Sequence, residues 1–484
     1  MSITPSVAVN TVKKPSMPTD NGKTLYVGGS GPGNYSKIQD AINDASNGDT
    51  VFVYDEGSPY YENVRVDKSI NLIGENRNTT VINGIDYGPV IGITYLTSNV
   101  LVSGFTITDS FLPDIMGGCT GIGIAGSNNI IQDNKIIFNR DRIEIYDESN
   151  NNVITNNIII HNFMVGIYED CFNSSNTVKW NVISGNGDPD FEYGGLYKHR
   201  SGGYYHHNDF DLNWGYDAYT EASSWGFWDD GSEGNYWEHW ESNPGYPDVY
   251  IIYGSFEDQT DYHPSPTPYF DYPIVRIHEY LYEEDPGETI HFYSYVNKPV
   301  SSLSFLWDFG DGTTSNKKDP DHSYSKSGIY HINVTIMDDK GVSDTDRGIA
   351  HIGIPPDKPT IKGRTKDRFR LWYIYTINST DPDSDYLHYH IWWGAGEEDY
   401  IGPYPSGEKI KISYSWQWYE GNYTIGVKAI DETLRESEWA YLTVQIIPRN
   451  RISVNSVFLW FLERFPFLVR LFFFKQFDLV FFKN

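Results

Sequence analysis

Arg140, Asp141, Arg142, Glu144 and Asp147 place three carboxylates and two guanidinium groups within eight residues, and Glu169 and Asp170 follow one repeat later. Paired carboxylates across a groove are the equipment of glycoside hydrolysis, one serving as acid and the other as base or nucleophile. The competing reading is the solvated outer face of an acidic protein. A second group of candidates is aromatic. Trp214, Trp225, Trp228, Trp237 and Trp240 crowd residues 191–253. Trp225 and Trp228 are candidates for stacking on sugar rings, whereas Trp237 reads as part of a hydrophobic cap whose polar ring tips reach water. Expected ligand contacts are therefore Trp225, Trp228, Arg140, Asp141, Arg142 and Glu144, with no residue expected to be catalytic. His199, His206, His207 and His239 lack the tight spacing of a metal site. Asp381-x-Asp383-x-Asp385 has the spacing of oxygen ligands for Ca²⁺, without the later Gly and Glu of an EF-hand. Such Asp clusters also commonly form simple Asx turns, so the expectation is no cofactor, with Ca²⁺ the exception this spacing allows.

These residues need elements to hold them, and a repeat supplies the first. Val100–Ile107, Ile130–Ile137, Val153–Ile160 and Thr177–Ser184 align at offsets of 30, 23 and 24 residues. Each consists of two short strand-like pieces around Gly104, Asn134, Asn157 or Asn181. A second register runs through Gly121–Ile124, Arg142–Ile145 and Gly166–Glu169. Short strands at this period predict a right-handed parallel β-helix, with Ile and Val stacking inward from coil to coil at ~4.8 Å spacing. The corner residue is expected to take a left-handed backbone, which Asn and Gly tolerate. Stacked Asn side chains can also form a hydrogen-bonded ladder. Upstream, Ile38, Ala41, Ile42 and Ala45 make one face of a helix suited to capping the open end of the solenoid.

Composition bounds the rest. The 484 residues carry 36 Lys and Arg against 65 Asp and Glu, a formal charge of −29, which argues against nucleic acid as a partner. Two cysteines, Cys119 and Cys171, cannot make a disulfide framework. Mean hydropathy is −0.48, and no uncharged apolar stretch reaches the ~18 residues of a membrane-spanning helix. Met1–Asn10 lacks the basic start and apolar core of a complete signal peptide but carries small residues at Ser6-Val7-Ala8, like the end of one. A start upstream of Met1 and a short lead both stay open.

Several stretches resemble known families. "GNYSKIQDAINDASNGDTVFVY", "YYENVRVDKSINLIGEN" and the "NNVITNN" repeats resemble parallel β-helix proteins of the pectin-lyase-like fold. That group includes the NosD-type periplasmic copper-binding proteins, and the nearest likeness is to secreted surface β-helix proteins of archaea. "FWDDGSEGNYWEHW" resembles the C-terminal end of that family, but "ESNPGYPDVYIIYG" stands where Asp-Gly repeats usually follow. Enzymes of this fold are lyases, which need Ca²⁺-binding carboxylates and an Arg or Lys base, or hydrolases with acids on adjacent coils. The motifs of neither are present. "FLWDFGDGTTSNKKDPDHSYSKSGIYHINVTIMDDKGVSD" closely resembles a PKD domain, which implies an immunoglobulin-like β-sandwich. Asp308 and Asp311 read there as turn formers. "TDPDSDYLHYHIWWG", "SYSWQWYEGNYTIGVKAID" and "SEWAYLTVQI" resemble the immunoglobulin-like module that often follows one.

The expected organisation is all-β. It comprises a lead at 1–23, a parallel β-helix with caps at 24–270, a PKD domain at 271–354, a second β-sandwich at 355–447 and a hydrophobic tail at 448–484. The tail has six Arg and Lys against two acids, 6 − 2 = +4, and Pro466 interrupts it. It suits a peripheral contact with an anionic membrane surface. The leading expectation is a non-catalytic secreted or cell-surface protein. Its β-helix face would bind extracellular glycans or surface proteins, with the sandwiches as spacers or adhesion modules. The alternative is a polysaccharide lyase or glycoside hydrolase acting on the outer face of the β-helix near Arg140–Glu144.

Overall fold

The computed structural model describes residues 22–447, except 86–87, 110–119, 140, 147, 173, 188–192, 222–223, 369–370, 385 and 417–419, and also describes Arg464. Arg140, Asp147, Asp385, Cys119 and nearly all of the basic tail thus lie outside the described residues. No helix among those described is long and apolar enough to cross a membrane.

The backbone forms two compact units. One runs to Tyr280 and takes in His291–His322 and His331–Gly348; the other comprises Leu281–Ile290, Ser323–Tyr330 and the chain from Ile349 onward.

The solenoid is the body of the first unit. Its strands fall into three long sheets of eight, nine and eight members, parallel from coil to coil apart from one terminal antiparallel strand, Gln259–Asp261. Alternation along each short strand sends every second side chain inward. The first face stacks Leu25, Val51, Leu72, Val102, Ile131, Ile154, Val178 and Tyr205. The second stacks Ile82, Ile107, Ile136, Ile159, Ile183, Phe210 and Trp237. The third stacks Ile91, Ile122, Ile143, Ile167, Leu196 and Ala218. All these side chains are buried, so the aliphatic columns expected from the repeat are present.

The columns end in rings. Phe210 stacks on Trp237 at 4.5 Å and Trp237 on Tyr250 at 4.2 Å, which closes the C-terminal end. Trp237 is thus the cap residue expected. At the other end the helix Ile38–Asp44 buries Ile38, Ala41 and Ile42. The Ile38 and Gln39 amides at its start donate to the Glu62 carboxylate at 2.8 and 3.1 Å.

Among the described residues three asparagine ladders run up the corners, where the sequence suggests one. Asn134, Asn157, Asn181, Asn208 and Asn235 form the first; Asn129, Asn152 and Asn176 the second; Asn139, Asn162, Asn186 and Asn213 the third. Each Asn sends its Nδ2 to the Oδ1 of the next coil at 2.9–3.2 Å, and that same Oδ1 accepts the backbone amide of the first Asn. The left-handed position is not the ladder Asn but the residue before it: Asp133, Asn156, Trp180 and His207 in the first ladder, at φ of 55–59°. Gly104 (φ 86°) occupies the equivalent position one coil earlier, where an added Cβ would lie 2.2 Å from the Gly74 carbonyl oxygen.

The middle module is an immunoglobulin-like sandwich. Leu303–Asp308 pairs antiparallel with Gly328–Asp338, from Leu303 opposite Asp338 to Asp308 opposite Asn333. Trp307 is fully buried and donates its indole N–H to the Lys318 carbonyl at 3.0 Å. Asp308 accepts the Gly310 amide and Asp311 the Thr313 amide, both at 2.9 Å, so both acids shape the turn as expected. In the last module Tyr386–Trp392, Glu398–Pro405, Gly421–Ile430 and Ala440–Ile447 form one antiparallel sheet packed over Tyr373, Tyr375, Ile410 and Ile412.

Candidate functional site

The expected carboxylate groove divides when its side chains are followed. Asp141 and Arg142 lie in the strand Asp141–Ile145. Glu144 points outward from that strand and accepts the Thr120 hydroxyl at 3.2 Å. Above it the row continues as Tyr168, Tyr197 and Tyr219, with rings stacked 5.3 and 5.9 Å apart. Glu169 was expected one coil beyond Glu144 on the same groove, and the structure corrects this: it points into the solenoid and is fully buried. The period of two along Ile167–Asp170 sends Tyr168 out and Glu169 in. Asp170 does face outward, but it accepts the His199 ring nitrogen at 3.1 Å and the Arg200 guanidinium at 2.9 Å.

Inside, Glu169 accepts Asn176 Nδ2 at 2.6 Å, the Ser174 hydroxyl at 3.1 Å and the Tyr205 hydroxyl. Lys198 sits opposite it in the next coil and is fully buried. Its ammonium donates to the Trp225 carbonyl at 2.6 Å and lies 4.2 Å from the Tyr205 ring centre. Burial brings its pKa down to about 7.

The aromatic candidates also part. Trp228 is 1% exposed and packs on Tyr205 at 4.8 Å, so its ring belongs to the interior. Trp225 is open to solvent and lies over Gly202. Phe227 stands nearly perpendicular to it at 5.9 Å and stacks on exposed Tyr204 at 5.3 Å. Of the histidines, His206 and His207 bring ring nitrogens together with an Asp230 carboxylate oxygen, all within 4.8 Å of one another. His199 and His239 instead pair with Asp170 and Asp217.

A fuller site lies elsewhere, on the outer face of the last sheet. Trp392 is opposite Gly426, and Gly426 is opposite Tyr441. His390 is opposite Lys428 and Tyr400. His390, Trp392, Glu398, Trp439 and Tyr441 line a cavity of about 210 Å³. Gly426 makes the room: a Cβ there would stand 3.1 Å from the Trp439 ring and 3.3 Å from Tyr441. The polar edge is set by His390, which is stacked on Tyr400 at 4.1 Å and bonded to Glu398 at 2.9 Å. Lys428 lies 5.2 Å from the Trp439 ring centre and pairs with Glu436. The cavity thus joins three large rings to a carboxylate, an imidazole and a nearby ammonium. Its signal was present in the chain as alternation. Ile391 and Trp393 face the core while His390 and Trp392 face out, and Ala440 is buried between Trp439 and Tyr441.

The candidate Ca²⁺ ligands Asp381 and Asp383 do meet, and a third carboxylate, Asp431, joins them.

The fold and these sites define a modular, nearly all-β protein built from a β-solenoid and immunoglobulin-like sandwiches. Residues 282–352 match the PKD domain family. The chain is 39% identical over 83 residues to the pre-pro-metalloprotease PrtV of Vibrio cholerae serotype O1, covering 17% of this chain and 9% of that protein. It is 31% identical over 113 residues to collagenase ColA of Bacillus cereus, covering 20% and 12%. The chain therefore spans only about a tenth of the length of these curated relatives. Among solved structures it resembles the PKD domain of an M14-like peptidase from Thermoplasmatales archaeon SCGC AB-540-F20, at 38% identity and a TM-score of 0.19, covering 20% of this chain and 99% of that one.

Proposed function

We propose that this chain is a non-catalytic extracellular or cell-surface protein that binds glycans. The observation that carries the reading is the cavity of the last sandwich, where Trp392, Trp439 and Tyr441 surround Glu398 and His390. Sugar rings offer apolar C–H faces and a rim of hydroxyls. Aromatic rings receive the faces, and a carboxylate with an imidazole receives the hydroxyls. At about 210 Å³ the cavity falls below the ~300–1,000 Å³ of clefts that engulf drug-sized ligands. It suits one or two sugar units of a longer chain that runs on across the sheet. Trp225, Phe227 and Tyr204 give the solenoid a second exposed aromatic surface, the part of the β-helix face first expected to bind. The PKD match of residues 282–352 and the likeness to the pre-pro-metalloprotease PrtV and collagenase ColA support an extracellular setting. A cleaving activity gains no support from Glu144, because Glu169 is turned into the core and Asp170 is engaged by His199 and Arg200.

The test is a glycan array probed with the full chain and with Trp439→Ala, alongside an assay for new reducing ends and unsaturated uronides. Binding to a defined glycan class that falls at least about tenfold in Trp439→Ala, a loss of ~1.4 kcal/mol, with no product released, is expected. Product release that disappears in Glu144→Gln would replace this reading with the enzymatic one.

A further inference from the structure

We propose that Asp381, Asp383 and Asp431 form a Ca²⁺ site in the last sandwich. Asp381 and Asp383 lie on the turn after the strand Tyr373–Asn378, and Asp431 immediately follows the strand Gly421–Ile430. One carboxylate oxygen from each lies within 4.8 Å of the others.

The division of labour within two of these carboxylates is the informative feature. Asp381 Oδ1 accepts the amides of Asp383 and Ser384 at 3.0 and 2.7 Å. Asp431 Oδ1 accepts the Thr433 amide, the Thr433 hydroxyl and the Arg435 amide at 2.7, 2.8 and 2.9 Å. The turns are therefore built by one oxygen of each acid. The other oxygen, Oδ2 in both, is buried and has no hydrogen-bond partner among the described residues. Asp431 as a whole is 1% exposed. A buried carboxylate oxygen without a donor is costly, and convergent like charges add to that cost. The cationic side chains nearest Asp431 in sequence do not relieve it: Lys428 pairs with Glu436, and Arg435 donates to the Gly353 carbonyl at 2.7 Å and lies 3.7 Å from Asp285. A bound cation would satisfy the two orphaned oxygens and neutralise the cluster together.

The donor set selects the ion. All three ligands are hard carboxylate oxygens with no imidazole or thiolate, which suits Ca²⁺ or Mg²⁺ over zinc or copper. Irregular turns that offer carboxylates without an octahedral frame suit the larger and more permissive Ca²⁺. Asp383 also accepts the Ile354 amide at 3.1–3.2 Å and the Ser327 hydroxyl. The ion would therefore stiffen the Pro355-Pro356 segment where the chain enters the last module.

Calorimetric titration of Ca²⁺ into the chelator-treated full chain tests this. One saturable site is expected, with a Kd in the ~10⁻⁴–10⁻³ M range of extracellular modules, and with Mg²⁺ weaker. Asp381→Asn and Asp431→Asn each keep a carbonyl oxygen for the turn amides and should weaken binding by at least about tenfold. Glu438→Gln, an exposed acid of the same module, should not. Exposed Asp383→Asn provides the same comparison if Asp431→Asn folds poorly. Absence of a Ca²⁺ heat at millimolar ion, or undiminished binding in both Asp381→Asn and Asp383→Asn, overturns the proposal. Neither result bears on glycan binding at Trp439.

Discussion

Each of the three asparagine ladders ends on an acid. Asn235 donates to Asp261, Asn176 to Glu169 and Asn213 to Asp217. An Asn within a ladder must accept from the coil below and donate to the coil above, whereas the last position needs only to accept. A carboxylate does that, and its charge faces the positive end of the aligned amide dipoles. The two positions should therefore respond unequally to exchange. Asn181→Asp sets a carboxylate against Asn208 Oδ1 and is expected to cost several kcal/mol, whereas Asp261→Asn should cost ~1–2 kcal/mol; denaturant unfolding of the two variants measures the difference. Acidity enters as well. Burial pushes Asp261 up to about 6 and Asp209 up to about 7. Between about pH 4 and 7 the folded chain then holds protons that the unfolded chain has released. The stability contributed by these groups is present at low pH and is lost as pH rises through their folded values. Asp209→Asn should flatten the fall in melting temperature over that range. Asn134, Asn157 and Asn181 were legible in the sequence as ladder residues. The left-handed backbone one residue earlier was not, because Asp133, Trp180 and His207 share no side-chain type that marks it. Glu169 was misplaced because strand alternation was not carried one residue further.

At the scale of elements, the outer side of the second face is covered. Ile137, Ile158, Ile160 and Val182 project outward there and are buried beneath Ile274, Phe270 and Tyr272. Arg276 donates to the carbonyls of Leu212 and Gly187 at 2.6 and 3.0 Å and lies over the Trp214 ring. His161 is buried between Asp344 at 2.8 Å and Asp346 at 3.4 Å, stacked on Phe138, which Arg347 covers from 4.1 Å. The same two aspartates accept the amides of Val275 and Ile277. His161 therefore acts as a clamp on the segment that leaves the solenoid. His161→Ala should accelerate hydrogen exchange at Val275 and Ile277 while leaving the inner coils protected. The strongly apolar outward positions of the second face were visible in "NNIIIHN" but were absorbed into the repeat, since a run of Ile fits a buried strand and an outward patch equally well. The strands of the last sandwich are legible as alternation, but its outer rings are not marked in the sequence, because aromatic residues crowd residues 191–253 as well. There crowding reflects the cap: Trp228 and Trp237 are buried, and Trp225 alone of the two candidate tryptophans keeps an open surface.

For the whole molecule, a β-solenoid precedes sandwich modules, the last of which holds the cavity lined by His390, Trp392, Glu398, Trp439 and Tyr441. The proposed glycan recognition resides on the outer sheet of that last module. Tyr441 tests it most cleanly, since its side chain is 60% exposed and its removal should leave the core intact. The decisive measurement is equilibrium affinity for a bound polysaccharide, comparing the full chain with Tyr441→Ala and Trp225→Ala at matched melting temperatures. Loss of roughly tenfold or more in Tyr441→Ala, with a smaller change in Trp225→Ala, is the predicted result, in line with the ~2 kcal/mol of an aromatic anchor. Affinity unchanged in Tyr441→Ala would contradict it.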